Sequence, residues 1–486
     1  MLAFIEAQKP IPMGGISGDE THIWDEDLKT IDKILSDDRF IDILYCSIRR
    51  NLSASTRRGR KRMALNRILR AGVLKHVKKL SFRDLFSDLK RNLDGRAFSQ
   101  FFDEPVKSVA SLSRNIAYVD AQALHEMNEL LCKKARETGV IKGNVMRQDT
   151  TVCESNIHYP TDGSLLRDGV RVLQRLVKQA EDLVSTIPAS RDRSRAATRR
   201  ALEIVRSVGT KENNEQKQKA YGKLLRITRA VVTTAKRAVD KLADGRTTRH
   251  LNEKDRIAGG AVKDELETMV PRVEQLIRQT RNRVFRGITN SPNKLLSLFV
   301  PETFVICKGK AHKPNEFGRV VNIVETENGF VSDYQVLDGN PNDGKLLIPA
   351  IERHIEQFDR PPRLVATDRG FWSAANEKAA YELGVRRVSI PAKGKGSKMR
   401  LRIQRSRWFR KAQRWRANGE GRIGILKNNY GLDRCFYKGE KAMERWVGWC
   451  VFANNLVVTA RLQRRWRQQE NETDHQTEKH AYRKAA

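Results

Sequence analysis

The chain has 486 residues, with 93 Lys and Arg against 58 Asp and Glu and a net charge of +35. That length is enough for about two to four domains, and a cationic excess spread along the chain calls for a polyanionic partner, most simply DNA or RNA. A membrane surface is the competing polyanion, but no apolar run nears the roughly 18 residues that span a bilayer, and no membrane partner is expected. The N-terminal MLAFIEAQKPIPMGG lacks the pattern of a secretory signal. Cysteines at 46, 132, 153, 307, 435 and 450 follow neither zinc nor disulfide spacing, so a reducing cytoplasm is expected.

Residues 18 to 42 are acidic, with nine Asp/Glu against three Lys/Arg, and SASTRRGRKR then turns sharply basic. Leu65, Leu69, Val73, Val77 and Leu80 recur at helical spacing. Ser81 with Asp84 three residues on reads as a capping box that opens a second helix. A third helical stretch, about 108 to 138, stops at Gly139. Residues 1–140 are therefore expected to form a helical, DNA-binding domain, and both a helix-turn-helix and a plain packing or dimerising bundle fit the pattern.

VMRQDTTV, opening at Val145, is strand-like, and residues 141–164 are taken as the first strand region of a second domain. From 165 to 299 the period is helical. One long stretch carries Tyr221, Leu224, Val231, Ala235, Val239 and Leu242 on one side, and a second is kinked or restarted at Pro271. This reads as an insertion shaped like a helical hairpin. Past residue 300 strands return: Asn328-Gly329 between two β-rich runs is a hairpin signal. A helix (about 343 to 358), the strand RLVAT ending at Asp368, the helix AANEKAAYEL and the strand VRRVSI follow. The basic loop KGKGSKMRLR leads to a helix bearing Glu420, and a last helix rich in Trp and Arg ends near 466. Residues 300–466 complete the second domain, and the polar tail 467–486 is expected to be disordered.

Without the insertion, this order is that of an RNase H-like α/β domain, a mixed sheet with helices on both faces. Asp149 lies within a strand, where Asp is disfavoured, and Asp368 lies at a strand's C-terminal end, where open α/β sheets bind ligands. Arg416, Glu420 and Lys427 fall within about 60° of one another on one helical stripe. Two strand-borne acids and one helix-borne acid suit a pair of divalent ions in phosphodiester chemistry, with the two cations beside them for the phosphate.

RQDTTVCESNIHYPTDGSLLRDGVRVL, KPNEFGRVV, ATDRGFWSAAN and NGEGRIGILKNNYGL, in that order, resemble DDE transposases of bacterial insertion sequences, most closely the ISNCY-like group. The resemblance runs from about residue 60 to 460. It implies that Asp149, Asp368 and Glu420 are the catalytic, metal-binding triad for Mg²⁺ or Mn²⁺. It makes Arg416 and Lys427 the cations of the family's R-x3-E-x6-K element, expected on DNA. It further implies binding to element ends and target DNA, a homodimer or higher oligomer, and a place in the bacterial cytoplasm on the nucleoid. The family's Tyr three residues before Arg416 is replaced here by Gln413.

Asp162 and Asp168 are rivals to Asp149, although TDGS reads as a turn and Asp168 as a helix start. Glu377, Glu382 and Glu440 are rivals to Glu420 but lack cations on both sides. Gly419, Gly421 and Gly424 each weaken the Glu420 helix by about 1 kcal/mol relative to Ala, unless glycine there lets DNA backbone approach. Trp372 is expected to pack rather than touch bases. Two other functions remain open: an RNase H-like nuclease or resolvase without strand transfer, and a domesticated, non-catalytic DNA-binding protein.

Overall fold

The structure, a computed structural model, describes residues 25–51, 62–101, 105–207, 211–290, 293–307, 314–394, 397–439 and 441–485, without the side chains of 211–213, 420 and 470–485. The SASTRRGRKR run, up to Lys61, lies outside the described residues. The chain divides into two units, one of residues 1–155 with 306–486 and one of residues 156–305.

The first unit opens with helices α1 (Glu26–Leu35), α2 (Asp38–Arg50), α3 (Leu65–Val77), α4 (Phe82–Arg91), α5 (Leu93–Phe98), α6 (Val109–Ala117) and α7 (Ala121–Glu137). The stretch from 108 to 138 is broken in two because Asp120 accepts from Ala123 N and caps a new helix. The Ser81/Asp84 capping box forms at the head of α4. α3 is buried from Leu65 to His76, polar residues included. Arg70 pairs with Asp32 at 2.7 Å, Arg67 Nε donates to Gln100 O, and His76 Nε2 meets Tyr437 Oη at 3.0 Å. A helix enclosed on all sides offers no face to a DNA groove.

The sheet begins with β1 (Val145–Ser155) and continues, after the second unit, through β2 (Phe304–Cys307), β3 (Asn315–Glu325) and β4 (Val331–Val336). Then come α13 (Leu347–Phe358), numbered after the five helices of the second unit below, β5 (Leu364–Ala366), α14 (Ala374–Glu382), β6 (Arg387–Ser389), α15 (Lys398–Arg405), α16 (Arg407–Tyr430), β7 (Arg434–Cys435) and α17 (Ala442–Ala485). The strand order is β2-β3-β1-β5-β6, with β4 on β3 and β7 on β1. β1 runs antiparallel to β3 and parallel to β5 and β7. This mixed sheet with helices on both faces is the RNase H-like α/β fold. Met146, Val324, Val365 and Val388 pack on one face with Leu347, Ile351 and Ala380 of α13 and α14. Cys153, Val321 and Ile323 face the other way, into a core shared with α17 and the N-terminal helices. Alternating side chains along β1 and β3 send neighbours to opposite faces. In the β3–β4 turn, Asn328 (φ 60°) and Gly329 (φ 81°) are both left-handed, as a tight hairpin requires.

The second unit holds α8 (Asp162–Leu183), α9 (Ser194–Arg206), α10 (Lys211–Ala243), α11 (Gly245–Thr248) and α12 (Glu253–Arg286) around a core of its own. Its first helix starts at Asp162, capped by Thr161. α12 runs through Pro271 rather than restarting there, since Val270, Val273, Leu276 and Ile277 keep it in the core. Two other segments differ from the sequence reading. The second half of the basic loop is α15, fixed where Arg400 reaches Glu377 and the Ile390 carbonyl. In the tail from residue 467, where the sequence reading expects disorder, the structure continues α17 to Ala485. That tail has no Gly or Pro, and extending a helix already nucleated avoids the cost of starting one. No described helix is long and apolar enough to cross a membrane.

Candidate active site

Parallel pairing of β1 with β5 sets Arg147 beside Ala366. Asp149 and Asp368 each come two residues after that rung, so adjacent parallel strands present the two acids at one level. Asp149 pairs across β3 with Ile323, which places it on the sheet face covered by α16. Its Oδ1 accepts from Thr150 N at 2.8 Å and its Oδ2 lies 3.8 Å from Arg416 Nη2. Asp368 Oδ1 accepts from Gly370 N at 2.7 Å and heads the short turn Arg369–Phe371. Both carboxylates are partly exposed and aimed by backbone N–H groups.

Four contacts fix α16 over the sheet. Gln413 Nε2 donates to Ser389 O at 2.7 Å and to Thr367 O at 3.3 Å, tying the helix to the ends of β5 and β6. The Gln413 amide thus acts as an anchor. Arg147 Nη1 donates to Trp415 O at 2.6 Å, its guanidinium lies 5.0 Å from the Trp415 ring, and its other end pairs with Glu325. Arg422 reaches the same Glu325 at 3.9 Å. Burial pushes the Glu325 carboxyl up despite the opposing pull of Arg147 and Arg422, the cost of enclosing an ion pair. A Cβ on Gly419 would stand 3.1 Å from Arg147 Nε. The missing Cβ at Gly419 leaves room for Arg147. Gly421 and Gly424 face open space.

Glu420 lies on the backbone of α16, next to Gly419 and one turn beyond Arg416, on the stripe that meets the sheet; its side chain lies outside the described residues. Lys427 is half-buried, nearly two turns (~10 Å) farther along. Its neighbourhood is the far end of β1, where burial pushes the Cys153 thiol up and Lys427 opposes that weakly. The structure thus sets Arg416 beside Asp149, carries Asp368 at the end of the adjacent strand, and places Lys427 farther along α16.

The rivals are otherwise engaged. Asp162 pairs with Arg283, Asp168 sits inside α8 within 3.5 Å of His158, Glu377 pairs with Arg400, and Glu382 lies 3.7 Å from Lys378. Glu440 lies outside the described residues. Trp372 packs at the edge of the core under α13 and α14.

One acid at the site has no signal in the sequence. Asp343 Oδ1 lies 3.3 Å from the Thr150 hydroxyl. A Cβ on Gly370 would stand 2.8 Å from Asp368 Oδ1 and 2.9 Å from Asp343 Oδ2. Locally Asn342-Asp343-Gly344 is only a turn, and the fold alone carries it to the site. Arg147 does carry a signal in the sequence: a charged residue two before Asp149, hence on the same strand face. Among the described residues no three His, Cys, Asp or Glu side chains form a metal cluster. The donors that do gather are carboxylates, hard oxygen ligands suited to Mg²⁺ and Mn²⁺.

Two family models match the chain. Residues 302–456 match the transposase DDE domain, and residues 20–117 match a transposase domain of the N-terminal region, DUF772. No curated protein and no solved structure matches it. The first match covers the sheet from β2 onward with α16, and the second covers most of the N-terminal helices. With both matches on an RNase H-like fold, the chain belongs to the DDE-type transposases of insertion sequences.

Proposed function

We propose that this transposase cuts DNA at the ends of its mobile element and joins the freed 3′-hydroxyls to target DNA, using divalent ions held by Asp149, Asp368 and Glu420. The observation that carries the reading is the shared level of Asp149 and Asp368 on adjacent parallel strands, under the helix that bears Glu420. A pair of Mg²⁺ or Mn²⁺ ions there would supply activation of the attacking oxygen and neutralisation of the leaving one. Thr150 N–H and Gly370 N–H hold the two aspartates in place. Arg416, beside Asp149, offers its charge to the scissile phosphate, and Lys427 takes a phosphate farther along the strand. The protein works on the bacterial nucleoid as a homodimer or larger assembly.

Alanine at Asp149, Asp368 or Glu420 is expected to abolish Mg²⁺-dependent cleavage of element-end DNA while affinity changes little, because binding rests on many phosphate contacts. Near wild-type cleavage by Glu420→Ala means that a different glutamate does the work. Strand-transfer products made from precleaved ends separate a transposase from a nuclease of the same fold, which yields nicks alone. Lys427→Ala is expected to bind with a log-log salt slope shallower by about 0.9 and to cleave slowly even when saturated with DNA. If neither changes, Lys427 is a structural lysine.

A further inference from the structure

The helical unit of residues 156–305 contains a cavity of about 420 Å³, within the roughly 300–1,000 Å³ range of ligand clefts. Ile187 and Val231, both buried, give it an apolar floor. Arg191 and Arg193 from the loop between α8 and α9, and Arg237 and Lys241 from α10, form its rim. The ion pairs described in this unit, such as Arg175–Glu265 and Lys236–Glu274, use none of these four. Asp240 is the only acid in the lining, against four cations.

The loop that carries the two arginines is built. Ser190 N donates to Glu181 Oε1 at 2.8 Å, Gln174 Nε2 meets Ser190 Oγ at 3.2 Å, and Gln174 Oε1 accepts from Arg193 N at 3.4 Å. The acid between the arginines, Asp192, is turned to the start of α9, where it accepts from Ser194 N at 2.8 Å. Arg237 and Lys241 stand one turn apart on α10 and repel each other. Four cations thus surround one hollow on a pre-set frame, an arrangement that an anion relieves and that a pre-ordered loop makes cheaper to bind. The apolar floor selects an anion with an apolar body over a bare inorganic ion.

We infer that this cavity binds one nucleotide unit of a DNA strand, its phosphate at the cationic rim and its sugar and base on the apolar floor. The inference rests on the proposed function only in taking DNA as the partner. It gives the insertion a DNA-holding site of its own, separate from the catalytic carboxylates.

The test uses full-length protein and a fluorescently labelled single-stranded oligonucleotide, read by anisotropy across a salt series. Arg237→Ala/Lys241→Ala and Arg191→Gln/Arg193→Gln are compared with Lys219→Ala/Lys223→Ala, an exposed pair with the same one-turn spacing on α10 outside the cavity. Melting temperatures establish that each variant is folded, and the loop pair stands in if the helix pair is not. Each cavity pair is expected to weaken binding about tenfold and to reduce the salt slope by about 1.4, from roughly 0.7 per contact on a single strand. The control pair is expected to weaken it less than twofold. Photocrosslinking with 5-iododeoxyuridine in the same oligonucleotide is expected to label the peptide around residues 187–193. Equal losses for cavity and control pairs, or crosslinks only elsewhere, overturn the inference while leaving the transposase function standing. If wild-type protein and control alike fail to bind DNA, the proposed function falls with it.

Discussion

Gly370 stands where two carboxylates, those of Asp368 and Asp343, crowd the space a Cβ would fill. Gly370→Ala should therefore push these acids apart while leaving the core intact, since what it meets is the ends of side chains. Cleavage is expected to fall at least tenfold, with a melting temperature within a few degrees of wild type; unchanged cleavage would mean that neither acid needs its present position. Lys75 is another residue whose environment decides its behaviour. It is buried, with its ammonium 4.6 Å from the Trp446 ring centre and also over Phe82 and Tyr437, and burial pulls its pKa down to about 8 from 10.5. A lowered amine pKa destabilises the folded state fully below pH 8, and this penalty shrinks as pH rises and is gone by 10.5. Lys75→Met is accordingly expected to gain stability over wild type at pH 7 and to lose that advantage by pH 10.5. A gain that does not vary with pH in denaturant titrations would place the effect in packing alone.

Among the elements, the β3–β4 hairpin does more than reverse the chain. Glu327 in its turn accepts from the backbone N–H groups of Lys142 at 3.2 Å, Gly143 at 3.0 Å and Asn144 at 2.7 Å, just before β1 begins. Burial pushes the Glu327 carboxyl up, but the Thr326 hydroxyl and these N–H groups outweigh it and leave its pKa below the usual 4.5. That stabilisation is present above pH 4.5 and is lost as pH falls through the lowered value. Glu327→Gln should cost about 2 kcal/mol at neutral pH, and the difference from wild type should fade in acid. An equal cost at pH 7 and pH 3 would contradict this account. The elements that could be read in the sequence were those whose pattern is local: the strand around Asp149, the Asn328-Gly329 turn, RLVAT and the Ser81 cap. Those that could not depend on partners far along the chain. α3 has helical spacing, but its enclosure follows from α17, whose Trp449 ring fills the place that a Cβ on Gly72 would take. α15 is held by Arg400, whose partners lie 23 and 10 residues away. The strand positions of Asp149 and Asp368 are local in the sequence, whereas the nearness of Asp343 arises only when β1 and the turn after β4 meet.

At the scale of the whole molecule, the insertion between β1 and β2 has a hydrophobic core drawn entirely from its own residues, Leu165 to Leu298. Residues 156–305 alone are therefore expected to fold as a helical protein with a cooperative melt, and chiefly β or unfolded circular dichroism would contradict that independence. The other unit packs the N-terminal helices and α17 on one face of the mixed sheet and α13 and α14 on the other, with the candidate site on the sheet under α16. The central claim is that Glu420 joins Asp149 and Asp368 around divalent ions at that place. Anomalous diffraction from crystals grown with Mn²⁺ tests it most directly. The account predicts manganese peaks between the carboxylates of Asp149, Asp368 and Glu420, about 4 Å apart where two ions bind. Glu420 lying more than about 10 Å from both aspartates, too far to share ions spaced about 4 Å apart, or manganese bound only elsewhere, would contradict it.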